Sequence, residues 1–227
     1  MNLILLFDSD FIEAGRVRLS GRRVEHVKSV HRAAVGDTLT VGVMNGRAGT
    51  GVVTSLEPLE LEVTLDRDPP APLPLTLILA MPRPKVLNRV IASATSLGVK
   101  RIHLINAWRV EKSYWKSPRL STLDEPCVLG LEQARDTVMP SITLHRLFRP
   151  FIESFTPSGR ALVAHPGAAL ECPRDVSGEV TLAIGPEGGF IAEEIASFER
   201  AGFMPVSMGP RILRVETAVA ALIARLF

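Results

Sequence analysis

The first third of the chain is a succession of short apolar or alternating runs separated by turn residues. Residues 3–7, 16–19, 38–43, 51–55 and 61–65 each fit a short β-strand, and Gly36-Asp37 and Asn45-Gly46 supply turn chemistry between them. Residues 22–34 are the one stretch of helical character. So many short strands around a single helix predict a small β-barrel over residues 1–70. Four prolines then fall within Asp68-Pro69-Pro70-Ala71-Pro72-Leu73-Pro74, a run that neither a helix nor a sheet interior accommodates, and the domain boundary is placed there.

Beyond residue 74 the period lengthens. Strand-like runs at 75–80, 102–105, 142–147, 161–164 and 180–184 alternate with longer segments, which predicts an α/β domain with a mostly parallel sheet over residues 74–227. Val86, Leu87, Val90, Ile91, Ala94 and Leu97 share one helical face, Asn88, Arg89 and Ser93 the other, and Gly98 supplies a left-handed stop. The last helix, 216–226, is apolar nearly all round. That pattern calls for burial against the sheet or against a second subunit.

Composition narrows the class. With 227 residues and 46% apolar content the chain is a folded protein, not a disordered one. The run at 3–7 is far too short to span a bilayer, lacks a basic leader and meets Asp8 and Asp10 at once, so it reads as a buried strand of a cytoplasmic protein. Cys127 and Cys172 stand far apart without metal-ligand spacing, which predicts reduced thiols and no metal site.

The net charge of +2 conceals an uneven distribution. Arg83, Lys85, Arg89, Lys100, Arg101, Arg109, Lys112, Lys116 and Arg119 are opposed over residues 81–119 only by Glu111, and Arg16, Arg18, Arg22, Arg23, Lys28 and Arg32 only by Glu25. Local basic clusters balanced by acids elsewhere suit a protein that grips a polyanion at chosen places. The single tyrosine and both tryptophans lie in the run 108–116, inside the first cluster. Aromatic faces stack on unpaired bases while cations neutralise phosphates, so Arg83, Lys85, Arg109, Lys112, Tyr114, Trp115 and Lys116 are candidate RNA contacts, with Arg22, Arg23 and Lys28 in the first domain. The plainer alternative makes Trp108 a core residue and the charges a solvated loop.

Two C-terminal segments carry the most chemistry. Leu182-Ala183-Ile184-Gly185-Pro186-Glu187-Gly188-Gly189-Phe190 and Met208-Gly209-Pro210-Arg211-Ile212-Leu213-Arg214-Val215-Glu216-Thr217-Ala218 each read as a buried strand entering a glycine turn and then a helix. In an open α/β sheet the crevice beyond the carboxyl ends of the strands is where ligands sit, and glycines there admit close backbone approach. No lysine follows the glycines in the P-loop pattern, which disfavours a nucleotide triphosphate.

In order and wording this pair resembles the Gly-Pro-Glu-Gly-Gly and Leu-Gly-x-Arg-x-Leu-Arg-x-Glu-Thr-Ala motifs of the 16S rRNA uracil-N3 methyltransferase family, with Met208 in place of the usual leucine. That family belongs to the SPOUT superfamily of knotted, S-adenosylmethionine-dependent RNA methyltransferases. The resemblance implies a C-terminal trefoil knot whose loops form the cofactor site, an N-terminal barrel of the PUA type, and a homodimer acting on 16S rRNA or the small ribosomal subunit. It implies S-adenosylmethionine as cofactor, and the glycine turns then assign Ile184, Gly185 and Gly188 to one wall and Met208, Gly209, Ile212 and Leu213 to another. Ala164-His165-Pro166-Gly167 resembles a third family loop lining the same pocket, although a turn histidine with a satisfied ring is the alternative. Arg32 matches the arginine that ends the family's first-domain helix motif.

Methylation of uracil N3 requires removal of its proton or stabilisation of charge on O2 and O4. Arg211 and Arg214 are placed to meet such charge and Glu216 to accept a proton; the competing view makes Glu216 and Thr217 the dipole partner and cap of the last helix. The chain departs from the family where Arg83-Pro84-Lys85-Val86 replaces a Lys-Gly-Asp-Lys type stretch, and where Glu132-Gln133-Ala134-Arg135-Asp136 replaces Glu-Gln-Ser/Cys-Gly-Arg. Two other readings stay open: methylation of another base or a ribose hydroxyl, and a non-catalytic RNA-binding ribosome-assembly factor.

Overall fold

The computed structural model describes residues 2–227, which divide into two compact units. One holds the residues up to Ala71 together with Val128–Met139; the other holds Pro72–Cys127 and Pro140–Phe227. No helix among the described residues is long and apolar enough to cross a membrane.

The first unit contains β1 (Ile4–Leu6), β2 (Phe11–Glu13), β3 (Arg16–Arg18), α1 (Arg22–His26), β4 (Thr38–Val43), β5 (Ala48–Leu56) and β6 (Leu59–Arg67). These form a six-stranded sheet in the order β1-β4-β5-β6-β3-β2, antiparallel throughout except for the parallel β1/β4 pair. The sheet curls as a half-barrel around Ile4, Leu6, Val17, Val41, Leu59 and Leu61. The expected helix over 22–34 is shorter: α1 widens into a π turn at Val27–His31, and Arg32 ends it with φ 51°.

One cation expected at the surface is interior. Arg23 donates to both carboxylate oxygens of Asp10 and, at 2.9 Å, to the Leu5 carbonyl, with both side chains buried. A buried charge is tolerated only when it is paired and hydrogen-bonded in this way. Arg23 therefore leaves the set of candidate RNA contacts.

The second unit carries β7 (Leu75–Ala80), α2 (Pro84–Ser96), β8 (Arg101–Ile105), the first turn of α3 (Asp124–Ala134), β9 (Ser141–His145), α4 (Phe148–Ser154), β10 (Arg160–Ala164), β11 (Val180–Ile184), α5 (Ala192–Arg200), β12 (Met204–Val206) and α6 (Val215–Leu226). Its six strands are all parallel, in the order β12-β10-β11-β7-β8-β9. Every residue of the central strands β7 and β11 is buried, the reason their sequences run apolar without alternation. α2 starts with Pro84 in its first turn and stops at Gly98, whose φ is 90°. α6 buries Val215, Val219, Leu222, Ile223 and Leu226 and packs against β11 and α2, so the chain itself covers most of its apolar face.

Two details of these elements yield measurable consequences. α3 ends at Ala134, and the next residue, Arg135, holds φ 58°, the left-handed conformation a helix stop requires; it stands where the resembled motif has glycine. The geometry has been kept while the residue that adopts it freely has gone. On the sheet edge, His103 Nδ1 and His145 Nε2 lie 3.0 Å apart, packed among Phe151 and Phe155. Burial pushes both imidazoles below the ordinary 6.5, and for His103 the neighbouring His145 and Arg101 add to the effect.

Arg135→Gly is expected to raise stability by about 1 kcal/mol, read from chemical denaturation midpoints, because the left-handed cost of an L residue outweighs the freedom glycine adds to the unfolded chain. For the histidines, the unfolded chain takes up protons at a higher pH than the folded one, so stability is full above the unfolded value of 6.5 and is lost as pH falls through the lowered folded values. Denaturation midpoints should therefore drop between about pH 7.5 and about pH 5.5, and the double variant His103→Asn/His145→Asn should flatten most of that slope. An unchanged slope in the double variant would refute the assignment.

Candidate active site

The parallel register places the carboxyl ends of β10, β11 and β12 side by side: Ala164 opposes Ile184 on one flank and Val206 on the other. The chain leaves each strand there through a turn, and the turns after β11 and β12 contain glycine. After β11, a Cβ on Gly185 would lie 3.0 Å from the Phe190 nitrogen and 3.2 Å from the Gly189 Cα, so any larger residue would force the turn to shift. Gly189 and Gly209 hold φ of 71° and 100°, and a Cβ at either would point into open space. Between these turns lies a cavity of about 350 Å³.

Every residue assigned from the sequence to cofactor binding lines this cavity: Ala164 and His165 after β10, Ile184, Gly185 and Gly188 after β11, and Met208, Gly209, Ile212 and Leu213 after β12. His165 is fixed by its backbone N–H on the Val206 carbonyl at 2.9 Å, and its ring abuts Gly167. Ser207, Phe190, Ala218 and Leu222 complete the wall without having been read from the sequence. The spacing of Ala218 and Leu222, one turn apart on α6, was the available signal.

Of the three candidate catalytic residues, the structure brings Arg211 to the cavity; it is exposed at the mouth beside Ile212, which is 81% exposed. Arg214 is the residue that precedes the first turn of α6, its side chain making no capping bond. Glu216 lies in that first turn, 3.9 Å from the Arg89 guanidinium. Neither belongs to the cavity wall. Thr217 sits inside the helix, so it does not cap it.

The aromatic basic run resolves in an unexpected way. Trp115 is buried, its Nε1 donating to Asn106 Oδ1 at 2.9 Å and the Arg146 guanidinium lying 5.6 Å from its ring centroid, which removes it from the RNA-contact set. Trp108, read as the possible core residue, is 79% exposed. Tyr114 is half-buried and donates to Glu111 Oε1 at 3.2 Å; burial, then Glu111, pushes its phenol up. Lys112 and Lys116 are exposed, as are Arg83 and Lys85 at the start of α2. Arg109 is in the cavity wall: its guanidinium donates to the Gly188 carbonyl and its methylenes cover Gly188. In the first unit Arg22 pairs with Glu132 at 2.8 Å and Lys28 with Glu57 at 3.0 Å, while Arg32 is exposed.

Two carboxylates brace the loops around the cavity. Glu187 Oε1 accepts from the Arg83 N–H at 3.0 Å, and buried Glu194 accepts from Trp108 N–H at 2.7 Å through Oε1 and from Ile191 N–H at 3.0 Å through Oε2. Glu194 had no sequence signal beyond its place three residues after Ile191, the residue that caps α5. Both thiols are buried and free, and burial raises Cys127 to about 11 and Cys172 also upward, so neither is a nucleophile.

This arrangement is shared with known proteins. Residues 69–227 match the family described as RNA methyltransferase domain. The chain is 31% identical over 239 residues to ribosomal RNA small subunit methyltransferase E of Treponema pallidum, across 96% of this chain and 88% of that one. The crystal structure of ribosomal RNA small subunit methyltransferase E from Neisseria gonorrhoeae, bound to S-adenosyl methionine, is 27% identical with a TM-score of 0.78, covering 99% and 95% of the two chains. A putative methyltransferase of Legionella pneumophila shares the fold, with a TM-score of 0.74 at 24% identity over 99% and 96% of the chains. Glycine turns at aligned strand ends, the cavity between them and these likenesses together place the chain in the ribosomal RNA small subunit methyltransferase E family of RNA methyltransferases.

Proposed function

We propose that this protein transfers a methyl group from S-adenosylmethionine to N3 of a specific uridine in 16S rRNA of the small ribosomal subunit. The observation that carries the reading is the cavity between the turns after β10, β11 and β12, whose wall is mostly backbone, glycine and apolar side chain. Such a wall fits the cofactor: Ile184, Met208, Ile212 and Leu213 suit an adenine face, and turn amides and carbonyls suit its ribose and amino-acid ends. Two guanidinium groups, Arg109 and Arg211, also line the cavity, and that of Arg109 is turned onto the Gly188 carbonyl. The open space over Gly189 and Gly209 is where a bound molecule would come closest to the chain.

When bound, the cofactor supplies an electrophilic methyl carbon. The chain's share of the chemistry is orientation and charge. The three turns fix the reacting partners in line, which removes much of the entropic barrier. Arg211, at the mouth, stabilises the negative charge that gathers on uracil O2 and O4 as the N3 proton departs. Arg214 and Glu216, at the start of α6, stand beyond the wall; Arg214 meets a phosphate of the incoming RNA, and Glu216, steered by Arg89, takes the proton. Lys112, Lys116, Arg83 and Lys85 provide exposed cations for the RNA in the second unit, and Arg22, Lys28 and Arg32 do so in the first. A trefoil knot in the second unit, a homodimer and a cytoplasmic site of action complete the proposal, supported by family membership.

Labelled methyl transfer to small-subunit rRNA, followed by mass mapping of the product nucleoside, tests the reading; N3-methyluridine is expected, and a ribose-methylated or other base product would replace it. Gly185→Val should abolish cofactor binding measured by calorimetry, since its side chain meets the Phe190 backbone. Arg211→Ala should lower kcat about 10²-fold while cofactor affinity stays within about threefold. Equal loss of both in the Arg211 variant would make that residue part of the cofactor's grip instead.

A further inference from the structure

We propose that Trp108 and the trough beside it form a subsite for an unpaired base of the RNA flanking the methylated one, a reading that rests on the RNA methyltransferase function proposed above. The indole is 79% exposed, while the second tryptophan of the same run is buried. Exposure of so large an apolar surface does not come from a loose loop. The Trp108 N–H is held at 2.7 Å by Glu194, a carboxylate only 5% exposed, and Ala107 and Val110 on either side are buried and joined by a 3.0 Å backbone hydrogen bond. The next residue, Arg109, docks on the Gly188 carbonyl and so ties the loop to the turn that walls the methyl-transfer cavity. The backbone that carries the ring is thus held in place one residue from that cavity, so a ligand stacking on the indole has no loop left to order.

Trp108 borders an open trough of about 1510 Å³, much roomier than the cofactor cavity. Its apolar lining includes Ala107, Ile152 and Ile191. Lys112, Arg149 and Arg200 supply cations, with Glu153 and Glu193 also in the lining; the Glu194 carboxylate is already spent on two backbone N–H groups. The core of a protein–protein interface is depleted of charged side chains, whereas six ionisable groups line the trough that this indole borders. That combination fits a nucleotide: the base face lies on the indole, its edge meets donors and acceptors of both kinds, and the phosphates meet the cations.

The test uses the full-length protein and deproteinised small-subunit rRNA. Trp108→Ala should raise the KM for RNA about tenfold, with kcat and cofactor affinity unchanged, and Trp108→Phe should recover most of the loss. Tryptophan emission of the unaltered protein should be quenched as RNA is added, and that quench should vanish in Trp108→Phe, where only buried Trp115 remains. An unaltered KM in Trp108→Ala, or the same quench in Trp108→Phe, overturns the subsite. A changed oligomeric state of Trp108→Ala with unaltered KM assigns the trough to a protein partner and overturns it as well. If the unaltered protein methylates no RNA, the proposed function fails instead, a result the variants do not mimic.

Discussion

The alignment of strand ends in the parallel sheet is the constraint on which the site depends. β11 lies between β10 and β7 with Ile184 opposite Ala164 on one flank and Leu79 on the other, and β12 adds Val206 beside Ala164. That register is held by strands buried along their length, so it is set by packing on both faces and not by any group in the cavity. A slip of one residue between β10 and β11 would move their turns apart by about 3.3 Å, more than a hydrogen bond tolerates. The cavity is therefore a consequence of the core, and its glycines answer local demands, a crowded turn at Gly185 and positive φ at Gly189 and Gly209.

Polar interactions do a second, narrower job. Glu187, Glu194 and Arg109 each join a turn of the cavity region to a neighbouring loop through backbone N–H or carbonyl groups. Because the bonds go to main chain, the loops are fixed while the side chains at 83, 85, 108 and 112 remain exposed for a ligand. The same logic explains why the buried pair Asp10 and Arg23 lies away from any cavity: its charges are consumed by each other and by Leu5.

Much of this was legible in the sequence, for physical reasons that also mark the limit. β4 and β7 have the bounds their apolar patterns indicate, and the glycine turns announced the cavity because no other residue serves there. α4 escaped notice because it is short and contains Pro150, and α3 because Pro126 and Gly130 break its helical pattern. Membership of residues 128–139 in the first unit depends on contacts such as Leu131 with Leu3 and Leu5, pairings that periodicity does not encode. The exchange of roles between Trp108 and Trp115 had the same origin. Which of two tryptophans is buried was decided by Asn106 and Arg146, partners invisible from the run itself.

The two departures from the family motifs can now be weighed against the geometry. Arg135 replaces a glycine yet keeps the left-handed backbone, so that change bears on stability and leaves the path of the chain intact. At Arg83-Pro84, proline opens α2 where its missing N–H is harmless, and the Arg83 N–H is the one accepted by Glu187. Neither changed stretch lines the cavity, although Arg83 reaches its wall through Glu187, and the glycines of the two turns match the family motifs, with Met208 in place of the usual leucine. The two departures thus lie where backbone geometry is held by other means, and the residues that line the cavity lie outside both.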